Sequence, residues 1–286
     1  MLNSNTCMII MDETPCSSLP SNNLQEPNHA QHPHDHDDGA IVVVAKCPIP
    51  GKSKTRLIPL LGPEGSARLA RAMLSDVLVS LVQCRPLDPV KIILYYAPDK
   101  TIMVELLKEL KIDEQRVHLL PMLKDNDLTK SDLGRQLTNA LQEARNLTKG
   151  NVMFLGMDAP ILPLEEIPLA LSLQTEATLC PALDGGYGML SVPTQCPDSI
   201  FSNVLWSNSL TGLAQLKALT DAHIPVRLGR IMMDIDEEAS VRQLVRYATL
   251  GESMDLAILQ TTSSKTPAVD SDYRYTKQAL RDLKLL

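Results

Sequence analysis

Residues 40–57 read Ala40-Ile-Val-Val-Val-Ala-Lys-Cys-Pro-Ile-Pro-Gly-Lys-Ser-Lys-Thr-Arg-Leu57. The opening Ala40–Ala45 is a short β-branched run without polar alternation, the pattern of a strand buried on both faces of a parallel sheet. Behind it, Lys46, Lys52, Lys54 and Arg56 crowd into eleven residues beside Gly51, Ser53 and Thr55. Pro48 and Pro50 limit the flexibility of this loop and so the entropy lost when it binds something. A basic loop between a strand end and a helix N-terminus, which adds partial positive charge, can neutralise a di- or triphosphate. It is not a Walker A loop, because the G-x-x-x-x-G-K-[ST] spacing is absent. Taken alone, a solvated basic loop explains the same residues equally well.

Outward from this segment, strand and helix patterns alternate. Gly62-Pro63-Glu64 opens a helix running to about Gln83. Val90–Tyr96 reads as a second strand, followed by a helix near Thr101–Leu110 and a strand near Val117–Pro121. A polar loop then reaches Asp132, before a helix over Leu133–Leu147 and a strand over Asn151–Leu155. The order predicts a doubly wound α/β sheet with ligands beyond the carboxyl ends of its strands. Further on, Leu164–Leu173 reads as a helix, Ala177–Ala182 and Gly188–Val192 as strands around a Gly-Gly turn, and Ser209–Thr220 as a helix. Val226–Met233 reads as a strand and Glu237–Leu250 as a closing helix.

Three carboxylate motifs sit at expected strand ends or turns. In Gly156-Met157-Asp158-Ala159-Pro160 the Asp follows an apolar strand, where a hard cation and phosphate oxygens would find it. Its alternative role is to cap a following helix. Asp184-Gly185-Gly186-Tyr187-Gly188 is a glycine turn that lets backbone approach a ligand, or a plain hairpin. Asp234-Ile235-Asp236 puts two carboxylates on one side of an extended chain, suited to a metal, unless Asp236 caps the helix from Glu237. Trp206, the only Trp, could stack on a base or sugar or pack in the core.

The bulk numbers set bounds. A chain of 286 residues fits one large α/β domain with tails. Aromatics are 3% against 44% hydrophobic residues, so the core must be aliphatic. The net charge of −7 is concentrated in residues 1–39, which hold six acidic and no basic residues, leaving 28 acidic against 27 basic elsewhere. That balance gives no nucleic-acid footprint. Residues 1–38 are Ser/Asn/Pro/His-rich without apolar periodicity and are expected to be disordered. Their His32-Pro-His34-Asp-His36-Asp-Asp38 run is read as a solvated tract, with metal chelation the alternative. The domain is expected over 39–252, and a linker plus a short amphipathic helix over 253–286. Six scattered cysteines without C-x-x-C spacing suggest free thiols in a reducing compartment. With no long apolar run or signal sequence, the expectation is a cytoplasmic protein without membrane contact.

In order, the motifs are K-x-P-x-P-G-x-x-K-T-R-L from Lys46, D-L-G-R at Asp132–Arg135, G-x-D-x-P at Gly156–Pro160, D-G-G-Y at Asp184–Tyr187, W-S at Trp206–Ser207 and D-x-D at Asp234–Asp236. This combination resembles the DUF2064 family, the glycosyltransferase-A-like proteins also labelled radical-SAM/selenodomain-associated transferase 1. The resemblance implies a single three-layer α/β/α domain with a mixed, mostly parallel sheet, the nucleotide-diphospho-sugar transferase fold. It implies a transferase binding a nucleotide or nucleotide-sugar and a small-molecule acceptor, with Mg²⁺ or Mn²⁺. Asp158, Asp184 and Asp236 are the expected catalytic residues, and Asp158, Asp234 and Asp236 the metal ligands. Lys46, Pro50, Gly51, Lys54, Thr55, Arg56, Asp132, Arg135, Gly185 and Gly186 are expected on the nucleotide phosphates. Tyr187, Trp206 and Ser207 are expected at the acceptor, although Asn208 stands where the family tends to have Thr. The opening loop and Ala70–Asp76 are also similar to phospholactate guanylyltransferases, so nucleotidyl transfer is an alternative to glycosyl transfer. Non-catalytic nucleotide binding is a third.

Overall fold

The apolar strands assemble as their pattern requires. In a computed structural model that describes residues 39–122, 133–250 and 272–286, seven strands form one sheet. They are β1 (Ala40–Lys46), β2 (Lys91–Ala97), β3 (Val117–Pro121), β4 (Val152–Gly156), β5 (Ala177–Pro181), β6 (Tyr187–Val192) and β7 (Val226–Leu228), in the order β3-β2-β1-β4-β6-β5-β7. Only β6 is antiparallel to its neighbours. Alternate residues of each central strand feed two cores: Ile41, Val43, Met153 and Leu155 on one face, Val42, Val152 and Phe154 on the other. That is the period-2 alternation of a sheet covered on both sides.

The first face is covered by α1 (Ile58–Gln83), α2 (Lys100–Glu109) and α4 (Glu166–Ser172), the second by α3 (Leu133–Leu147) and α5 (Thr211–Asp221). The long helix starts effectively at Pro63: Gly62 has non-helical φ 70° and ψ 169°, separating one preceding turn from the rest. Helix α1 is buried on two sides, because Ala70, Leu74, Leu78 and Leu81 meet the sheet while Leu69 and Met73 enter a third cluster. That cluster joins α6 (Glu238–Leu250) and α7 (Arg274–Asp282) through Val241, Leu244 and Leu280, and it includes Leu57, Met233 and Ile235. The C-terminal helix is thus packed into the same folded unit. Tyr273 offers α7 no side-chain cap, and α1 supplies one: Asp76, 1% exposed, accepts the N–H groups of Tyr275 at 2.9 Å and Thr276 at 2.7 Å.

One expectation needs adjustment. The strand expected over Val226–Met233 pairs with β5 only to Leu228. At Gly229 the chain passes so close to Glu166 and Cys180 that a Cβ would stand 2.3 and 2.5 Å from their side-chain atoms, and pairing resumes only as a bridge between Ala182 and Met232. The expected tail over 1–38, the polar loop ending at Asp132 and the linker near 261–270 lie outside the described residues.

Candidate functional site

The strand order turns between β1 and β4, with β2 and β3 on one side and β4 onward on the other. In open α/β sheets the crevice beyond the carboxyl ends at such a switch point is where ligands bind. Here those ends are Lys46 and Gly156, whose following loops carry the basic run and Asp158.

The basic loop is tied from inside. Ser53, 3% exposed, donates to the Cys47 carbonyl at 2.6 Å and accepts the Ile49 N–H at 2.9 Å. Gly51 takes φ 74° with open space where a Cβ would lie, so only its backbone angle asks for glycine. Lys54 takes a left-handed backbone as well, φ 46° and ψ 49°, which costs a non-glycine residue about 1 kcal/mol or more. Such strain at a site residue is a pointer to function. The loop also leans on β4, since the Lys46 N–H donates to Met157 Sδ at 3.2 Å.

On the β4 side, the glycine of G-x-D has a steric purpose: a Cβ on Gly156 would stand 2.9 Å from Asp158 Oδ1. The chain after β7 runs alongside. Ile235, fully buried, donates its N–H to the Asp158 carbonyl at 2.9 Å, leaving Asp234 and Asp236 on the side away from the core. The Lys54 ammonium lies 2.7 Å from Asp158 Oδ2 and 3.3 Å from Asp236 Oδ1, and its side chain is 7% exposed. Arg56, 62% exposed, reaches Asp236 Oδ2 at 2.9 Å and Glu237 Oε1 at 3.4 Å. Two of the four cations expected on phosphate, Lys54 and Arg56, are therefore paired with carboxylates.

Electrostatics follow the contacts. Burial pushes the Asp158 carboxyl up, but the Lys54 charge and hydrogen bond outweigh it and hold the group below the usual carboxylate range. Burial pulls Lys54 down, and Asp158 with Asp236 raise it above the ordinary lysine value. Asp234 is pushed up to about 6 by burial and by the negative charges of Asp184 and Asp158.

Neither capping alternative is found. The helix after Asp158 begins only at Glu166, and the Asp236 carboxylate is taken by Lys54 and Arg56. Ser240 Oγ receives the N–H groups of Asp236 and Glu237 instead, at 3.1 and 3.2 Å.

Asp184 folds over its own turn, Oδ1 accepting the Gly186 N–H at 2.8 Å. Gly185 has φ 88°, and a Cβ there would stand 2.0 Å from the Ser209 carbonyl oxygen. The partner in this contact, Gly212, escaped the sequence reading: it donates to the Gly185 carbonyl, and its own Cβ would meet the Gly186 carbonyl at 2.9 Å. A glycine inside a helical pattern was its only signal. Tyr187 and Trp206 come together, ring centres 6.5 Å apart, with Trp206 also 6.4 Å from Phe201. Both pack on the second core, and the Tyr187 hydroxyl donates to buried Gln215 at 3.1 Å, so that hydroxyl is already engaged. Ser207 is exposed with φ 59°. Lys46, Pro50 and Thr55 are exposed in or beside the basic loop, and Arg135 is exposed in the first turn of α3. Asp132 lies outside the described residues.

Asp234 is not brought into a three-ligand set with Asp158 and Asp236: among the described residues no three His, Cys, Asp or Glu side chains gather closely enough to hold a metal. The pair Asp158 and Asp236 still suits Mg²⁺ or Mn²⁺, because such ions take one or two carboxylates and complete their shell with phosphate and water. Both carboxylates contact the same Lys54 ammonium, at 2.7 and 3.3 Å.

Residues 83–208 match the family model described as "Uncharacterized protein conserved in bacteria (DUF2064)". The match takes in the motifs from Asp132 to Ser207; the basic loop and Asp234–Asp236 lie outside it. A comparison with curated proteins gives no match. Among solved structures, a candidate nucleotide-diphospho-sugar transferase from Desulfovibrio desulfuricans G20 is similar at 22% identity and TM-score 0.66, over 86% of this chain and 96% of that one. A cytidylyltransferase from Leptospira borgpetersenii is 12% identical with TM-score 0.47, over 86% and 94%. The 4-diphosphocytidyl-2C-methyl-D-erythritol synthase of Anaerococcus prevotii is 13% identical with TM-score 0.47, over 76% and 100%. The resemblance to DUF2064 is thus a match over residues 83–208, carried on the nucleotide-diphospho-sugar transferase fold.

Proposed function

We propose that this protein is a metal-dependent transferase that moves a sugar from a nucleotide-sugar donor to a small-molecule acceptor. One observation carries the reading: Asp158, Lys54, Asp236 and Arg56 meet beyond the carboxyl ends of β1 and β4. Opposite charges packed at a switch point form a site that can exchange its internal ion pairs for a phosphate and its counter-cation.

In this reading Asp158 and Asp236 hold Mg²⁺ or Mn²⁺, which when bound supplies charge neutralisation for the departing diphosphate. Lys54 and Arg56 turn to the phosphate oxygens and stabilise the charge that grows as the bond to the sugar breaks. Lys46, at the end of β1, adds positive potential that helps hold the Asp158 carboxyl down. In the same reading Asp184, on the β5–β6 turn, and Asp234, after β7, accept hydrogen bonds from sugar or acceptor hydroxyls; the charge interaction of Asp234 with Asp184 and Asp158 supports their being neighbours. Within Ala70–Asp76, the Asp76 carboxylate is engaged in capping α7.

The test is product identity. Incubation with a panel of nucleotide-sugars, nucleoside triphosphates and acceptors should release a nucleoside diphosphate, and Asp158→Asn should abolish that release while melting within a few degrees of wild type. Pyrophosphate as the product would replace glycosyl by nucleotidyl transfer. Neither product across a broad panel would leave a nucleotide-binding protein without turnover.

A further inference from the structure

Lys54 combines three features that its assignment as a phosphate ligand does not explain. Its side chain is 7% exposed, so it is withdrawn from solvent where a phosphate ligand should be reachable. It is held in a left-handed backbone that few non-glycine residues adopt. Its ammonium touches the same two carboxylates that suit a divalent cation, at 2.7 and 3.3 Å. Arg56 differs on each count that matters: it is 62% exposed, touches Asp236 and Glu237 and leaves Asp158 alone.

We infer that the Lys54 ammonium is a built-in occupant of the divalent-cation position, which the metal must displace, and that the displaced side chain is what then grips the nucleotide phosphate. This rests on the proposed transferase reading. The physics is competition for one anionic hole. Two carboxylates facing each other without a cation would repel, and Lys54 fills the position between them from within the chain. A divalent ion carries twice the charge and replaces the ammonium only if Lys54 has somewhere to go, and the incoming phosphate is that place. Metal and nucleotide then bind with positive coupling, and the ligand-free protein resists loading with metal alone. By linkage the coupling is reciprocal, so the nucleotide binds weakly until a divalent ion is present.

The test measures Mn²⁺ binding to the full chain without nucleotide, from the paramagnetic resonance signal of free Mn²⁺. Asp158→Asn gives the background from the His/Asp-rich tail. Lys54→Met and Lys54→Gln, two variants so that one poor folder does not end the test, should bind Mn²⁺ at least about tenfold more tightly than wild type. Arg56→Met should gain clearly less, since Arg56 neutralises Asp236 without filling the shared position. Addition of pyrophosphate should tighten Mn²⁺ binding more in wild type than in the Lys54 variants. Lys54 variants that bind Mn²⁺ no better than wild type, or an Arg56→Met gain equal to theirs, would overturn the displacement idea while the transferase reading survives. Equal Mn²⁺ binding by Asp158→Asn and the Lys54 variants would remove the cation site itself, and with it the metal-dependent reading.

Discussion

Asp76 is the residue whose perturbation has the most calculable outcome. Its carboxyl is buried between α1 and α7, and burial pushes its pKa from 3.8 up to about 6 against the two N–H groups of Tyr275 and Thr276 that favour the charged form. The folded-state value lies above the unfolded one, so folding favours the protonated acid. The stabilisation is complete below the unfolded value and is lost as pH rises through about 6. The difference corresponds to about 3 kcal/mol, of which roughly 2 kcal/mol should be recovered between pH 7.5 and pH 4.5. Asp76→Asn keeps one acceptor for the helix N-terminus and cannot ionise, so its loss of hydrogen bonding is the same at every pH. Urea unfolding of both proteins at several pH values isolates the effect, because all other titrating groups cancel in the difference. Wild type should gain on the variant by about 2 kcal/mol over that range. Parallel pH profiles would refute the account of Asp76 as a carboxyl whose burial outweighs the two N–H groups it accepts.

Four further substitutions test the packing of the fold and the site. Leu280→Ala, at a fully buried position between α7 and α1, should cost about 2–5 kcal/mol in urea unfolding, and a loss under about 1 kcal/mol would mean α7 is not docked as described. Gly185→Ala must resolve a 2.0 Å approach to the Ser209 carbonyl and should lower stability by more than about 2 kcal/mol. Gly51→Ala, with open space around it, should lose only about 1–2 kcal/mol of backbone preference in the same melts, and an equal loss at both glycines would deny the tight turn–helix contact. Gly156→Ala should displace the Asp158 carboxylate and weaken Mn²⁺ binding several-fold with the fold intact. Unchanged affinity would show that the 2.9 Å approach has no bearing on the site.

Much of this fold was legible because the strands are apolar runs and the helices have punctuated ends. Ala40–Ala45, Val90–Tyr96 and Asn151–Leu155 lie on β1, β2 and β4 within one residue at every end, and Pro63 does open the long helix. What could not be read was long-range. Nothing local in Val226–Met233 says that Gly229 must squeeze past Glu166, so the strand looked longer than it is. The docking of α7 depends on an acceptor 200 residues away in sequence, at Asp76. The site divided the same way. The motifs singled out Lys54, Arg56, Asp158 and Asp236, which the fold brings into contact, since strand-end chemistry is local. That the two cations would be paired with the two aspartates, and that Tyr187 and Trp206 would pack against the core, are facts of tertiary contact.

The central claim is that the Lys54–Asp158–Asp236 cluster receives a nucleotide's phosphates together with a divalent cation. Calorimetric melting of wild type and Asp158→Asn against nucleoside di- and triphosphates and nucleotide-sugars, each with and without Mn²⁺, tests it most directly. At least one ligand should stabilise wild type only when Mn²⁺ is present, by about 2.7 kcal/mol at 100 times its dissociation constant, and should leave Asp158→Asn unmoved. Stabilisation of both proteins to the same extent, or of neither by any ligand, would contradict the account.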